Sequence, residues 1–257
     1  MGDSTGKGSK GVSRKREIIG VVVGAVLLVV VIAAALFAFT GHMQPSQTAL
    51  NALESDSQVQ VTQADGEIAF AGPDRDPNNT YGLVFYPGAK VDYRAYAPLL
   101  HKLAAQGWVC VDEEMPLDLA ILNQDAATDA MSRYPQVEHW YVAGHSLGGA
   151  MAANYASAHE DGLEGLVLLA AYSTQDISGT SLDVMSAYGT NDGVLNRENY
   201  ESDRANLPSS AHELVIDGGN HAQFGSYGEQ QGDGTASITA QQQVDQTVRF
   251  IQKTVRQ

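Results

Sequence analysis

An apolar run near the beginning of the chain restricts the structures that the chain can adopt more than any other feature of the sequence. Residues 18–39 read IIGVVVGAVLLVVVIAAALFAF, without one charged or strongly polar side chain. As a helix rising about 1.5 Å per residue, the run reaches roughly 33 Å, enough to cross the apolar core of a bilayer. A helix on the surface of a globular domain carries a polar face, and this run has none. The sequence therefore predicts a transmembrane anchor helix over residues 18–39.

A cleaved signal peptide is the alternative interpretation of this run. The apolar part of a signal peptide is normally about 7–15 residues long, which is shorter than the run observed here. The one cysteine of the chain is Cys110, so no cysteine directly after the run can carry a lipid anchor. We therefore expect an uncleaved anchor.

Basic residues lie on one side of the apolar run. Those that precede it are Lys7, Lys10, Arg14, Lys15 and Arg16. Because basic flanks stay on the cytoplasmic side, the N-terminus should be cytoplasmic and the chain from about residue 40 onward extracytoplasmic. The resulting division is a basic cytoplasmic tail at 1–17, the anchor at 18–39, a tether at 40–57 and a folded domain at 58–257.

The charge of the chain is also divided at this run. The first 17 residues hold five basic and two acidic side chains, out of 15 and 30 in the whole sequence. The remaining residues therefore hold ten basic and 28 acidic side chains, a net charge of −18. So acidic a domain repels nucleic acids and anionic lipid head groups, and we exclude both as its partners.

We expect Cys110, in an apolar run, to be a buried strand residue rather than a reactive thiol.

The outer domain alternates between short strand patterns and helical patterns. Two alternating runs, 59–62 and 67–70, flank Asp65-Gly66 and predict a hairpin. Further strands are predicted at 81–86, 108–111, 140–143, 166–169, 185–188 and 212–216. Helices are predicted between and after them, at 93–105, 117–134, 147–159, 197–205 and 239–255. This order predicts an α/β fold: a mostly parallel, doubly wound sheet with helices on both faces and an antiparallel hairpin at one edge.

The strand at 140–143 leads directly into the sequence Gly-His-Ser-Leu-Gly-Gly at 144–149, and an alanine-rich helical pattern follows. Gly-x-Ser-x-Gly between a strand and a helix is typical of a nucleophile elbow. Glycines two residues before and after Ser146 leave room for a sharp turn, and the helix N-terminus supplies N–H donors. The bare pentapeptide can also mark a simple tight turn, but its context favours Ser146 as a nucleophile.

A serine hydroxyl needs a positioned base before it can attack an acyl group. Among the seven histidines, His221 follows the last predicted strand at its carboxyl end, where the ligand site of such a sheet lies. Asp192 follows the strand at 185–188 and completes the chain order serine, aspartate, histidine. We therefore predict Ser146, Asp192 and His221 as a catalytic triad. The competing acids are Asp176, Asp183 and Asp217.

Acyl transfer also needs two donors for the oxyanion that forms at the carbonyl oxygen. The backbone N–H of Leu147, the residue after the nucleophile, is the first candidate. The second should lie in the loop after the strand at 81–86, where we choose the N–H of Ala89. Lys90 in the same loop is interpreted as a solvated surface lysine.

Several of these segments resemble the α/β-hydrolase superfamily, and within it a small bacterial group related to dienelactone hydrolases and simple esterases. The resembling segments are 86–91, 115–117, 144–149, 189–193 and 218–223, and the resemblance covers roughly residues 58–255. It implies a serine hydrolase of carboxylic esters or related acyl compounds that uses no cofactor. Dienelactone hydrolases use a cysteine where this chain has Ser146, which argues against their lactone substrate. The family loop often has a second glycine in place of Ala89, so a tighter oxyanion hole is expected here.

The connection between the strands at 166–169 and 185–188 is too short for a helical lid. We therefore expect an open pocket for small or soluble substrates. Tyr93, Phe224 and Tyr227 either line this pocket or pack in the core. The sequence contains no motif with metal-ligand spacing and no nucleotide-binding glycine loop, so no metal and no cofactor are predicted.

Two other functions stay open at the level of the sequence. An acyltransferase would use the same residues to pass the acyl group to a cell-envelope sugar or lipid instead of water. A non-catalytic binding module on a hydrolase fold would be expected to lack the nucleophile, the base or the acid, and all three candidates are present.

Overall fold

The computed structural model describes residues 40–64, 66–72 and 81–255. The predicted tail at 1–17 and the predicted anchor at 18–39 lie outside the described residues. Within the described part of the chain, no helix has the length and apolar character needed to cross a membrane.

Within the described ranges, eight strands form one sheet in the order β1-β2-β4-β3-β5-β6-β7-β8. Their bounds are Gln60–Ala64 (β1), Glu67–Ala71 (β2), Tyr81–Tyr86 (β3), Val109–Glu113 (β4), His139–His145 (β5), Gly165–Leu169 (β6), Asp183–Gly189 (β7) and His212–Ile216 (β8). β1 pairs with β2 and β2 with β4 in antiparallel fashion, whereas all later neighbours are parallel. The predicted parallel sheet with an antiparallel hairpin at its edge is confirmed. The strand order reverses between β3 and β5, so the loops after these two strands flank the switch point where ligands bind in such sheets.

Helices cover both faces of the sheet, as predicted. The α-helices are Gln47–Asn51 (α1), Ala97–Ala104 (α2), Ala126–Arg133 (α3), Leu147–Ala158 (α4), Arg197–Ser202 (α5) and Ala240–Val255 (α6). One core cluster joins α2 and α6 to one face, and a second joins α3 and α4 to the other. Successive strand residues alternate between the two, since Cys110 lies in the first cluster and Val109 and Val111 in the second. Cys110 is fully buried, as expected.

The predicted helix over 117–134 is wrong in its first half. Residues Pro116–Asp118 and Ala120–Leu122 form two short 3₁₀ turns, and α3 begins only at Ala126. Leu117 and Asp118 have φ angles of 56° and 52°, in the left-handed region that no α-helix of L-residues continues. The turn is held to the loop after β3, because the carbonyl of Asp118 accepts a hydrogen bond from the Lys90 amide, 2.8 Å away.

The segment assigned to a tether lies against the folded domain over much of its length. Met43 donates its N–H to the carbonyl of Lys90 (2.7 Å) and accepts at its own carbonyl from the N–H of Asp92 (3.0 Å). The N–H of Ser46 donates to the carbonyl of Ser226 (2.7 Å). Residues 43–46 are therefore held to the loops that follow β3 and β8.

Candidate active site

Ser146 is the single residue between β5 and α4. It has φ 54° and ψ −124°, a strained backbone conformation for a residue other than glycine. Its N–H donates to the carbonyl of Leu169 at the end of β6 (2.9 Å), which holds the turn in place. Such strain costs about 1–3 kcal/mol and is found mostly at functional sites. The predicted strand–turn–helix around Ser146 is confirmed.

The two outer glycines of the Gly-x-Ser-x-Gly motif are required by close backbone contacts. A Cβ on Gly144 would lie 2.4 Å from the carbonyl carbon of Gly148. A Cβ on Gly148 would lie 2.1 Å from the carbonyl oxygen of Tyr86, the last residue of β3. No side chain fits at either position. The glycines therefore let the N-terminus of α4 approach the loop after β3.

Asp192 and His221 meet in a buried pair. The Nδ1 of His221 donates to Oδ2 of Asp192 at 2.9 Å, and the two side chains are 2% and 0% exposed. The other carboxylate oxygen of Asp192 accepts from the N–H groups of Val194 (2.9 Å) and Leu195 (2.8 Å). Burial opposes the charged form of Asp192, but the hydrogen bond from His221 and those from the backbone outweigh it, so the pKa of Asp192 lies below its usual value. Asp192 is thus a carboxylate at neutral pH.

The second ring nitrogen of His221, Nε2, takes no part in the bond to Asp192. Nε2 is buried and has no hydrogen-bond partner among the described residues. With Nδ1 donating to Asp192, the neutral ring carries its lone pair on Nε2, which can accept a proton. The ring of His145, the residue before Ser146, lies 4.4 Å from the ring of His221 between centroids. The structure therefore brings the predicted base to the elbow.

Among the described residues, no backbone carbonyl accepts a hydrogen bond from the amides of Leu147 and Ala89, which lie beside Ser146. The amides on either side of Ala89 are both engaged, because Gly88 donates to the hydroxyl of Tyr96 (2.9 Å) and Lys90 to the carbonyl of Asp118. Leu147 begins α4, where the first N–H groups of a helix are free of intrahelical bonds. Both donors chosen from the sequence are therefore available for a ligand.

Tyr96 is a site residue that the sequence analysis missed. Its buried hydroxyl accepts the N–H of Gly88 and also bonds Nδ1 of His145 at 2.9 Å. The hydroxyl donates to Nδ1 of His145 when the neutral imidazole carries its hydrogen on Nε2. Burial holds the pKa of His145 well below its usual range, and the nearby His221 lowers it further, so His145 is neutral. Tyr96 thus ties the loop of residues 86–90, called here the oxyanion loop, to the elbow.

Asp233 was missed as well, because Gly232-Asp233-Gly234 looks like an ordinary turn. Its Oδ1 accepts from the N–H of His221 (3.2 Å) and of Gly193 (3.0 Å), and its Oδ2 from the N–H of Ala222 (2.8 Å). Asp233 therefore joins the loop that carries the histidine to the loop that carries Asp192. No local sequence pattern predicts a contact of this kind.

The competing acids lie elsewhere. Asp176 accepts from Ser178 in an exposed turn, and Asp183 accepts from the hydroxyl of Tyr141 at the opposite end of the sheet. Asp217 is bonded to Thr190.

The aromatic residues considered for the pocket belong mainly to the core. Phe224 and Tyr227 are buried in the core cluster with α2 and α6, and Tyr93 packs against it, partly buried. The connection from β6 to β7 contains no helix.

Comparisons with known proteins agree with this architecture. A family model described as "Alpha/beta hydrolase family" matches residues 82–245. Est1E from Butyrivibrio proteoclasticus superposes with a TM-score of 0.56 at 14% identity, covering 78% of this chain and 100% of its own. A predicted CIB-like hydrolase from Thermoplasma acidophilum superposes with a TM-score of 0.52 at 12% identity, covering 76% and 98%. No curated protein sequence matches the chain. The fold, the strand order and the family model together show that this chain belongs to the alpha/beta hydrolase family.

Proposed function

We propose that this hydrolase acts on carboxylic esters through an acyl-enzyme, with Ser146 as nucleophile, His221 as base and Asp192 as the acid that orients the base. The observation that carries the proposal is the buried 2.9 Å bond between His221 and Asp192, beside a serine held at positive φ between a strand and a helix. Membership of the hydrolase family supports the reaction class.

The first half of the reaction forms the acyl-enzyme. His221 Nε2 takes the proton of the Ser146 hydroxyl while Oγ bonds to the acyl carbon, and the carbonyl electron pair moves onto the oxygen. The N–H groups of Leu147 and Ala89 stabilise that oxyanion. When the carbonyl re-forms, the bond to the alcohol oxygen breaks, and the imidazolium of His221 returns its proton to the departing alcohol.

The second half releases the acid. A water molecule loses a proton to His221 as its oxygen attacks the Ser146 ester, and the same proton returns to Oγ when the carboxylic acid leaves. Asp192, ionised at neutral pH, stabilises the imidazolium in both halves. His145 is neutral and does not compete for these protons.

Labelling with a fluorophosphonate probe tests the proposal, because the probe bonds covalently to an activated serine. We expect the label on Ser146, and we expect Ser146→Ala to lose both the label and hydrolysis of p-nitrophenyl acetate. Ser178→Ala, in an exposed turn, is the matched control and should keep both. Wild-type hydrolysis by Ser146→Ala, with the label on Cys110 or another serine, would show that the mechanism is wrong.

A further inference from the structure

A small apolar surface lies beside the site and takes no part in the chemistry above. Five large apolar side chains are exposed in the described part of the chain, and three of them fall between β4 and α3. These three, called here the apolar rim, are Leu117, Ile121 and Leu122, with exposed fractions of 42%, 50% and 54%. The other two, Leu50 and Val215, lie on α1 and β8.

The oxyanion loop holds the segment of the apolar rim at both ends. At its beginning, the carbonyl of Asp118 accepts from the N–H of Lys90, the neighbour of Ala89. At its end, the hydroxyl of Tyr86 donates to the carbonyl of Gln124 (2.6 Å) and accepts from the N–H of Ala127 (3.0 Å). Along the chain from Ala89 to Lys90 and across the hydrogen bond to Asp118, the rim begins on the order of 10 Å from the proposed oxyanion donor Ala89.

The rim also adjoins the helix that follows the nucleophile. Ala120, between the rim residues, is buried in the same core cluster against which the side chains of Leu147 and Ala150 pack. Leu117 points outward on a left-handed backbone that is unfavourable for leucine. Three exposed apolar side chains within six residues, on a strained segment next to a site, form a candidate binding surface.

The sheet order separates the rim from the side of the leaving group. Asp192 and His221 follow β7 and β8, whereas the rim follows β4, on the opposite side of β5 and its elbow. The alcohol must leave next to His221, which protonates it. The rim therefore lies on the side of β5 away from the leaving group, where an acyl chain has a surface to contact.

We propose that the apolar rim binds the acyl chain of the substrate, so that esters with an extended, uncharged acyl chain react faster than acetyl esters. This inference rests on the proposed function. Glu114 is exposed beside the rim, and residues 40–257 carry a net charge of −18, so neither an anionic acyl group nor an anionic membrane fits this surface.

The double variant Ile121→Ser/Leu122→Ser tests this role without disturbing buried residues. kcat/KM is measured for p-nitrophenyl acetate, butyrate and octanoate below their aggregation limits. We expect the ratio of octanoate to acetate to fall about tenfold, with acetate hydrolysis unchanged, because only the longer chain contacts the rim. Val215→Ser, a similarly exposed apolar residue on β8, should leave the ratio at its wild-type value.

Two results would overturn the assignment and are separable from failure of the proposed function. If wild type hydrolyses acetate and is labelled at Ser146, but the double variant keeps the wild-type ratio, the rim does not bind the acyl chain. If the ratio is kept and binding to phosphatidylcholine vesicles is lost instead, the rim is a lipid contact. Absence of both acetate hydrolysis and Ser146 labelling in wild type would instead refute the proposed function.

Discussion

At the residue scale, Asp192 has the contacts that a carboxylate supporting an imidazolium needs. It accepts from His221 on one oxygen and from two backbone amides on the other. Asp192→Asn keeps the shape but removes the charge and favours the wrong tautomer of His221. We expect kcat to fall about 10³–10⁴-fold, somewhat less than in Ser146→Ala, measured on p-nitrophenyl acetate. Asp217→Asn is the control with wild-type activity; an equal loss there would contradict the assignment of the acid.

His221 and Ser146 should behave as a unit in the same assay. His221→Ala removes the base, and we expect it to be about as inactive as Ser146→Ala. Combining the two changes should cost little more than either alone, because each already abolishes the same step. Strictly additive losses in kcat would mean that the two residues act independently.

Asp112 on β4 is a buried carboxyl group whose two oxygens have no hydrogen-bond partner among the described residues. Burial raises its pKa well above the ordinary 3.8, and the nearby charge of Glu113 adds to this. Above pH 3.8 this carboxyl group is ionised in the unfolded chain but still protonated in the folded one. The free energy of unfolding therefore falls as pH rises, by about 1.4 kcal/mol per pH unit, until the pH reaches the folded pKa of Asp112.

Asp112→Asn removes this titration. The variant should therefore resist urea better than wild type at about pH 7 and lose that advantage toward about pH 4. Asp129→Asn, an exposed acid on α3, controls for the change in net charge. The same advantage at both pH values would contradict the buried titration of Asp112.

At the scale of elements, the hydroxyl of Tyr96 joins the oxyanion loop to the nucleophile elbow. Tyr96→Phe leaves the Gly88 amide and Nδ1 of His145 without their partner. The loop then positions Ala89 less well, and we expect kcat to fall about 10–100-fold with a smaller change in KM.

Tyr200→Phe is the matched control, because its buried hydroxyl bonds Ser186 and Glu213 away from the site. Both variants should lose about 1–3 kcal/mol of unfolding free energy. An equal loss of kcat in both would assign Tyr96 a purely structural role.

At the scale of the whole molecule, we propose that residues 18–39 anchor the chain in a membrane, with the N-terminus cytoplasmic and the hydrolase domain outside. The apolar run and the basic residues before it support this proposal. The intact protein should sediment with membranes and resist a carbonate wash, and protease added outside should release the domain. A peripheral protein of the same cells is the control for the wash. Recovery of the full-length chain in the medium would refute the anchor, and recovery of a shortened chain would indicate a cleaved signal peptide.

The sequence by itself determined the sheet and the elbow. Strands buried between two helical layers must be apolar, so they are visible as runs such as 81–86 and 140–143. The elbow is visible because its sharp turn leaves no room for side chains at Gly144 and Gly148. Asp192 and His221 could be proposed because residues after parallel strands meet at one edge of the sheet.

Only the tertiary structure decided which side chains hold the loops that carry Asp192, His221 and Ala89. Asp233 holds the loops of His221 and Asp192, and Tyr96 holds the oxyanion loop, through bonds between residues far apart in the chain. The left-handed turn at Leu117 and Asp118 likewise includes a long-range bond, from the Lys90 amide to the Asp118 carbonyl, where local periodicity favoured a helix. Hydrophobic periodicity reports which face of an element is buried, whereas these long-range polar contacts depend on how the finished sheet places its loops.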